Sequence, residues 1–160
     1  MSTVYTYRNK VLKNSANDKW LIKAPTVDPY NPLGLPDNTI RVKFLSGYTP
    51  TMGDTQTLVD ADENIWDIYK ESNNWNSLFS GIVKLLEILG ANTTNVTNMD
   101  YMFRSSRNVQ RGALALYQQA SSQPNPPSSH SDTFLWCGVD TVTGAAELAQ
   151  IPSGWGGTGA

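Results

Sequence analysis

Two stretches of the chain share one pattern. Residues 75–79 read WNSLF and residues 99–103 read MDYMF, and an aliphatic residue, Leu85 or Val109, follows six positions after each phenylalanine. A period of about 20–30 residues is typical of units that each supply a short helix or turn and a short strand, and that bury their apolar faces against neighbouring copies. This spacing predicts stacked units that build a surface rather than a reaction centre.

The second copy has the longer and more specific sequence pattern. Residues 95–103 read NVTNMDYMF, and they follow the apolar run LLEILG at residues 85–90. This resembles the BspA-type leucine-rich repeat of bacterial surface proteins, whose copies run NVTNM..MF....L. The resemblance covers residues 75–116 and, more weakly, residues 133–138, which is about half of the chain. It implies a curved solenoid used for adhesion.

Within one copy the pattern predicts a buried strand over residues 85–89 and a short helix capped by Thr97 or Asn98. The helix would present three apolar side chains on one face: Met99, Met102 and Phe103. Only two clear copies are present, whereas a solenoid generally needs about three or more to bury its ends. The remaining burial must therefore come from flanking elements.

The flanking segments supply such elements. Strict alternation over residues 39–44 predicts a strand with Ile40, Val42 and Phe44 inward, and residues 58–59 and 64–69 predict two strands joined by an acidic turn. Helices are expected over residues 112–120 and 143–151, the second capped by Thr143. The predicted fold class is α+β: a short leucine-rich-repeat-like solenoid of about two copies, with a small N-terminal antiparallel sheet and C-terminal helices as caps.

Charge divides the chain into two parts. Residues 1–24 hold five bases and one acid, a balance of +4, whereas residues 25–160 hold seven bases and thirteen acids, a balance of −6. Residues 3–12 and 19–23 read as short strands, and four prolines in residues 24–36 indicate an extended linker. We therefore predict a basic N-terminal assembly arm and linker over residues 1–34 and a leucine-rich-repeat-like module over residues 35–160. The arm could dock on an acidic platform or on nucleic acid by long-range attraction, or simply be a solvated strand face.

Several motifs that could carry chemistry are incomplete. His130, the only histidine, adjoins Ser129, Ser131 and Asp132 in one loop, where neighbours cannot converge as a catalytic triad. One histidine and one cysteine, Cys137, cannot complete a zinc site, so Cys137 is expected in the core. No phosphate-binding loop or dinucleotide fingerprint is present. We expect no enzyme activity and no cofactor.

A calcium loop is the most tempting ligand motif. The residues at its positions 1, 3, 5 and 12 would be Asp60, Asp62, Asn64 and Glu71. Position 6 is Ile65, where the sharp turn needs glycine, so the acidic hairpin turn is the preferred interpretation and no metal is predicted.

These features predict a non-enzymatic structural and adhesion protein. The organisation resembles a bacteriophage virion component, a capsid decoration or a head or tail fibre, anchored through its arm to a capsid or tail protein and displaying the module to a bacterial surface protein or glycan. A homo-oligomer is expected, a trimer or a dimer. No run approaches the roughly 18 apolar residues of a membrane span, and nucleic acid is not the expected partner. The predicted partner-binding residues are Arg8, Lys10, Lys13, Tyr48 and Trp155.

Two alternatives to the virion interpretation stay open. Residues 1–8 lack the basic start and apolar core of a secretory signal, so a bacterial cell-surface adhesin fragment without its export signal is the second interpretation. A carbohydrate-active enzyme is the third, and it would need a carboxylate pair across a cleft.

Overall fold

The computed structural model describes the backbone of β1 (Lys10–Asn14) and β2 (Lys19–Lys23) and the whole of residues 26–160. The two strands pair antiparallel, with Lys10 opposite Lys23 and Asn14 opposite Lys19. The strand predicted over residues 19–23 is confirmed. The strand predicted over residues 3–12 lies for the most part outside the described residues.

A four-stranded antiparallel sheet forms one side of the body. It contains β3 (Thr39–Phe44), β4 (Thr55–Asp60), β5 (Ile65–Tyr69) and β6 (Leu85–Ala91), in the spatial order β4-β5-β3-β6. Ile40, Val42 and Phe44 are fully buried, as the alternation predicts. The hairpin between β4 and β5 with its acidic turn and the buried strand at residues 85–89 are also confirmed.

The predicted solenoid of leucine-rich copies is wrong. A solenoid of that kind would add one strand per copy, but residues 75–138 contribute only β6, and β6 pairs antiparallel with β3. Where the second copy reaches β6, a single parallel bridge forms between Glu87 and Arg111. The next residue, Gly112, has φ +102°, and a Cβ there would lie 1.9 Å from the carbonyl oxygen of Ile88. The chain leaves the sheet at this close approach and enters a helix, so no second strand extends.

The similarity between residues 75–79 and 99–103 corresponds instead to stacked turns. We call residues 75–81 the first turn, residues 99–105 the second and residues 130–136 the third. Each turn donates backbone hydrogen bonds to carbonyls of the next: Phe79 N to Met102 O at 2.8 Å, and Phe103 N to Thr133 O at 2.8 Å. The short helix predicted after Asn98 is therefore wrong. These residues form tight turns with hydrogen bonds between residues three apart, such as Met102 N to Met99 O at 3.2 Å, and the N–H groups of residues such as Phe103 bond to the next copy instead of continuing a helix.

The three apolar side chains assigned to that helix, Met99, Met102 and Phe103, are nonetheless fully buried. Phe103 lies between Phe79 and Phe134, with ring centroids 5.4 and 5.5 Å apart and interplanar angles of 2° and 6°. We call Phe79, Phe103 and Phe134 the phenylalanine column. It runs through the stacked turns and forms the centre of the core.

Two short helices follow the second and third turns. The helix predicted from residue 112 is confirmed as α1 (Ala113–Ser122). The second, α2 (Val142–Leu148), is capped by Thr141, whose Oγ1 accepts a hydrogen bond from Gly144 N at 2.9 Å, and not by the predicted Thr143. Within the described residues, neither helix has the length and apolar character needed to cross a membrane.

The first turn of α1 is held by α2. The Glu147 carboxylate accepts hydrogen bonds from Gly112 N at 3.1 Å and Leu114 N at 2.9 Å. A carboxylate at a helix N-terminus satisfies unpaired N–H groups and complements the helix dipole. Glu147 therefore joins the two helices.

Candidate functional site

The five predicted partner-binding residues do not form one site among the described residues. Arg8 lies outside the described residues, and Lys10 and Lys13 occupy backbone positions in β1 opposite Lys23 and Trp20. Tyr48 and Trp155 lie in the body, where both contact the core. Their role in partner binding stays a prediction.

Tyr48 and Trp155 flank opposite ends of the phenylalanine column. Tyr48 is half-buried and lies 4.9 Å from the Phe44 ring, which in turn lies 6.5 Å from Phe79. Trp155, in the short 3₁₀ helix Ser153–Trp155, is only 7% exposed. Its indole stacks on His130 with centroids 4.2 Å apart and meets Tyr117 edge-on at 5.4 Å. Trp155 therefore packs on the body.

The side chains considered for catalysis have local structural partners. His130 Nδ1 lies 3.2 Å from the carbonyl oxygen of Gly154, and Ser129 Oγ donates to Asp100 at 2.6 Å, so serine, histidine and aspartate do not converge. Cys137 is buried, and burial raises the pKa of its thiol far above the usual range. A thiol kept protonated in this way is a weak nucleophile.

The calcium-loop pattern at residues 60–71 is a hairpin turn. Asp60 Oδ1 accepts a hydrogen bond from Glu63 N at 3.0 Å, and Glu63 pairs with Lys43. Asn64 Oδ1 accepts from the Trp66 indole at 2.8 Å. These contacts engage one oxygen of Asp60 and the amide oxygen of Asn64, two of the four side chains that the motif would use as ligands. Over residues 26–160 no group of three or more histidine, cysteine or acidic side chains is arranged to hold a metal ion.

An open groove of about 420 Å³ lies between the linker and α1. It is lined by Pro29, Tyr30, Pro32, Ala115, Gln118, Gln119 and Ser122. This lining contains no carboxylate, histidine, lysine or arginine. The groove is concave, but it has no side chain suited to acid–base or nucleophilic catalysis.

A cluster of large side chains lies instead on the outer surface of the second and third turns. The Arg104 guanidinium carbon lies 5.6 Å from the centroid of the Tyr101 ring and 5.7 Å from that of Trp136. Trp136 is 47% exposed, Arg104 is exposed and Tyr101 is half-buried. We call these three residues the aromatic–arginine cluster. Guanidinium groups over aromatic faces are held by cation–π attraction, which pre-organises all three side chains.

Both aromatic residues occupy strained backbone positions. Each turn places its third and seventh residues in the left-handed region: Ser77 and Gly81, Tyr101 and Ser105, Asp132 and Trp136. The φ of Tyr101 is 56° and that of Trp136 is 58°. For non-glycine residues this conformation costs roughly 1–2 kcal/mol, and bulky side chains rarely adopt it. Small residues occupy the equivalent positions in the first turn, so the turn geometry itself does not require an aromatic ring.

Arg104 also differs from the other arginines of the body. Arg41 pairs with Asp67, Arg107 with Asp140 and Arg111 with Glu87, each at 2.9 Å or less. Within residues 26–160, Arg104 has no carboxylate within ion-pairing distance. Its donors are therefore open to an anion from outside, on a body whose overall balance is negative.

Sequence reasoning missed this cluster for a definite reason. Phe134 follows Phe103 at a longer spacing than Phe103 follows Phe79, because α1 and the Ser/Pro loop are inserted. The equivalence of Trp136 with Gly81 and Ser105 is therefore hidden. The one available signal was the weak resemblance of residues 133–138 to the repeat, which contains Trp136.

The chain matches no protein-family model, no curated protein and no solved structure. The resemblance to the BspA-type repeat therefore stays a hypothesis carried by residues 75–116 of this sequence.

Proposed function

We propose that the protein is a non-enzymatic attachment module that binds a bacterial surface ligand through the aromatic–arginine cluster. Trp, Tyr and Arg are the residue types that dominate binding energy at recognition surfaces. Here they lie together, at least partly exposed, on turns that bear a conformational cost to present them. Strain retained at an exposed position without a packing role points to function. This observation carries the proposal.

The second part of the proposal is that the basic N-terminal segment anchors the protein. Its two strands pair with each other, and a proline-rich linker joins them to an acidic body. Such an arm suits anchoring to an acidic platform by long-range attraction. In the form we propose, the platform is a capsid or tail protein of a bacteriophage, the chain is a trimer or a dimer, and the cluster is displayed outward on the virion.

The attachment role is tested by binding of the fluorescently labelled full chain to intact cells from a panel of Gram-positive and Gram-negative bacteria. The informative variant is Trp136→Ser, because serine already occupies the equivalent position at Ser105 with φ 62° and the turn should fold. Val142→Ser is the matched control, since Val142 is 89% exposed and lies in α2, outside the cluster. We expect Trp136→Ser to weaken cell binding by about tenfold or more and the control to leave it unchanged. Equal binding by both variants, or no binding by the wild-type chain, would overturn the proposal.

The assembly role of the arm is tested by light scattering on the full chain and on residues 26–160. Every buried apolar residue of the described part lies between Leu35 and Trp155, so the shorter chain keeps the whole core. Starting at residue 26 also preserves the Asn31 side chain, which donates to Leu35 O at 2.9 Å. We expect an oligomer for the full chain and a monomer for the shorter one. Equal oligomeric states would show that the arm does not assemble the protein.

A further inference from the structure

We infer that the ligand of the aromatic–arginine cluster is a saccharide carrying a single carboxylate or phosphate group. This inference rests on the proposed attachment function and names the chemistry that the cluster would recognise. Three properties of the surface support it: the aromatic rings, the guanidinium held between them and the character of the residues around them.

The rings suit a sugar ring. A pyranose presents C–H groups on one face, and these carry slight positive charge, whereas the face of an aromatic ring carries negative charge. Trp136 and Tyr101 are the two aromatic residues that the second and third turns direct to the exterior, and Trp136 keeps 47% of its surface exposed. Stacking on such a ring removes apolar surface of both partners from water.

The guanidinium adds a requirement for negative charge. Arg104 has no carboxylate partner within the described body, and its position is fixed by two rings. A planar guanidinium forms paired, charge-assisted hydrogen bonds with a carboxylate or a phosphate. The body as a whole carries a balance of −6 over residues 25–160, which opposes a long polyanion such as nucleic acid. A ligand with one acidic group at the cluster satisfies both conditions.

The surrounding surface favours a saccharide over a protein. The other exposed or half-buried positions of the three turns include Leu135, His130 and the acids Asp100 and Asp132, and Asp100 already accepts hydrogen bonds from Ser129 Oγ and Ser131 N. The rest, apart from Gly81, are small and polar: Asn76, Ser77, Ser80, Ser105 and Ser131. Their hydroxyl and amide groups match the hydroxyls of a sugar. A stable protein interface buries about 800 Å² on each partner around an apolar centre, and these polar turns do not extend the apolar surface in that way.

The test is an NMR titration of the ¹⁵N-labelled full chain with three probes. A hyaluronan disaccharide carries one carboxylate, a single glucosylated glycerol phosphate unit carries one phosphate, and chitotetraose is neutral. We expect at least one charged probe to shift amides of the second and third turns with a Kd of about 0.1–1 mM, and the neutral probe to bind about tenfold more weakly. The two charged probes separate a carboxylate ligand from a phosphate ligand.

Three variants assign the contributions within the cluster. Arg104→Gln should reduce the affinity for the charged probe to that for chitotetraose and leave chitotetraose binding unchanged. Trp136→Ser should lower the affinity for all three probes. Tyr101→Ser, which installs the residue found at the equivalent Ser77, should lower it to a smaller extent. Val142→Ser should change nothing. Absence of shifts in the second and third turns with every probe at millimolar concentration, or equal affinity for neutral and charged probes, would overturn the inference.

The titration and the cell-binding assay can fail independently. If Trp136→Ser abolishes cell binding but no probe binds, attachment stands and the ligand is not the saccharide inferred here, with a surface protein as the next candidate. If a charged probe binds but the wild-type chain does not bind cells, the saccharide site stands and the attachment function falls.

Discussion

The same three turns place aromatic side chains in two different environments. Inside, the phenylalanine column repeats in every turn, with its rings nearly parallel and fully buried. Outside, the aromatic–arginine cluster occurs once, at left-handed positions where other turns carry serine, glycine or aspartate. A phenylalanine that recurs in every turn is needed for the turns to stack. Aromatic residues that occupy a left-handed position in only one turn each, at a conformational cost, are not needed for stacking. The column accounts for stability, and the cluster is the better candidate for recognition.

The largest expected effect is loss of the central ring of the column. Phe103→Ala removes a fully buried side chain that contacts a ring on each side, so we expect it to lower the free energy of unfolding by about 3–5 kcal/mol. Urea denaturation followed by tryptophan fluorescence measures this. Phe103→Leu is the control, because it keeps most of the volume and should cost less than half as much. If Phe103→Ala proves no more costly than Trp136→Ser, the distinction between interior and exterior rings is wrong.

A smaller loss is expected at the end of the column. Trp155→Ala removes the indole that covers Phe134, His130 and Tyr117, and its cost should lie near the lower end of the range for buried aromatic residues, about 3 kcal/mol. Trp155→Phe should recover most of that loss. Thermal unfolding of both variants checks the order. Unchanged stability of Trp155→Ala would remove Trp155 from the core and strengthen the sequence-based prediction that it binds a partner.

The sequence predicted much of the sheet and little of the site. Alternation in residues 39–44 and the acidic turn between β4 and β5 are local patterns, and the structure confirms both. The turns were predicted as a helix because Met99, Met102 and Phe103 have helical spacing. What decides their conformation is not local: the N–H of Phe103 bonds to the carbonyl of Thr133 in the next turn, beyond α1, so no helical bond to its own turn is needed.

The candidate site was beyond prediction for a related reason. None of Arg8, Lys10, Lys13, Tyr48 and Trp155 belongs to the cluster. Exposure of Trp136 depends on its alignment with Gly81 and Ser105, which only the stacked turns reveal. Burial of Trp155 depends on the glycine-rich tail being held by hydrogen bonds such as Gly159 N to Ile151 O at 2.9 Å.

The exterior cluster should contribute little to stability. Trp136→Gly relieves left-handed strain worth roughly 1 kcal/mol but loses the few contacts of an exposed indole, so the free energy of unfolding should change by less than about 1 kcal/mol. Trp136→Ser should be slightly less stable than Trp136→Gly, because serine keeps part of the strain. Chemical denaturation of both variants gives the two values. A loss in either as large as that expected for Trp155→Ala would make Trp136 a structural residue and remove the basis of the proposed site.

The smallest expected effect concerns a polar link across the same turns. Arg107, after the second turn, makes two hydrogen bonds of 2.9 Å to Asp140, after the third. The hydrogen bond from Arg107, and then its positive charge, lower the pKa of the Asp140 carboxyl. The folded state therefore binds this proton less readily than the unfolded chain, whose aspartates titrate near a pKa of about 3.9. The pair adds stability above that pH and loses it as pH falls through the lower pKa of the folded state.

Asp140→Asn tests this link through melting temperatures measured from neutral pH down to a pH well below the unfolded-state pKa. The melting temperature of wild type should slightly exceed that of the variant at neutral pH. The difference should begin to shrink near pH 4 and vanish once the pH lies below the lowered pKa of Asp140 in the folded state. Both partners are nearly half exposed, so added salt should reduce the neutral-pH difference as well. A difference that persists at the acid end would show that Asp140 acts through packing or backbone contacts rather than through its charge. The exterior of the stacked turns would then share a structural role with the column, and the contrast between the two environments would be weaker than proposed.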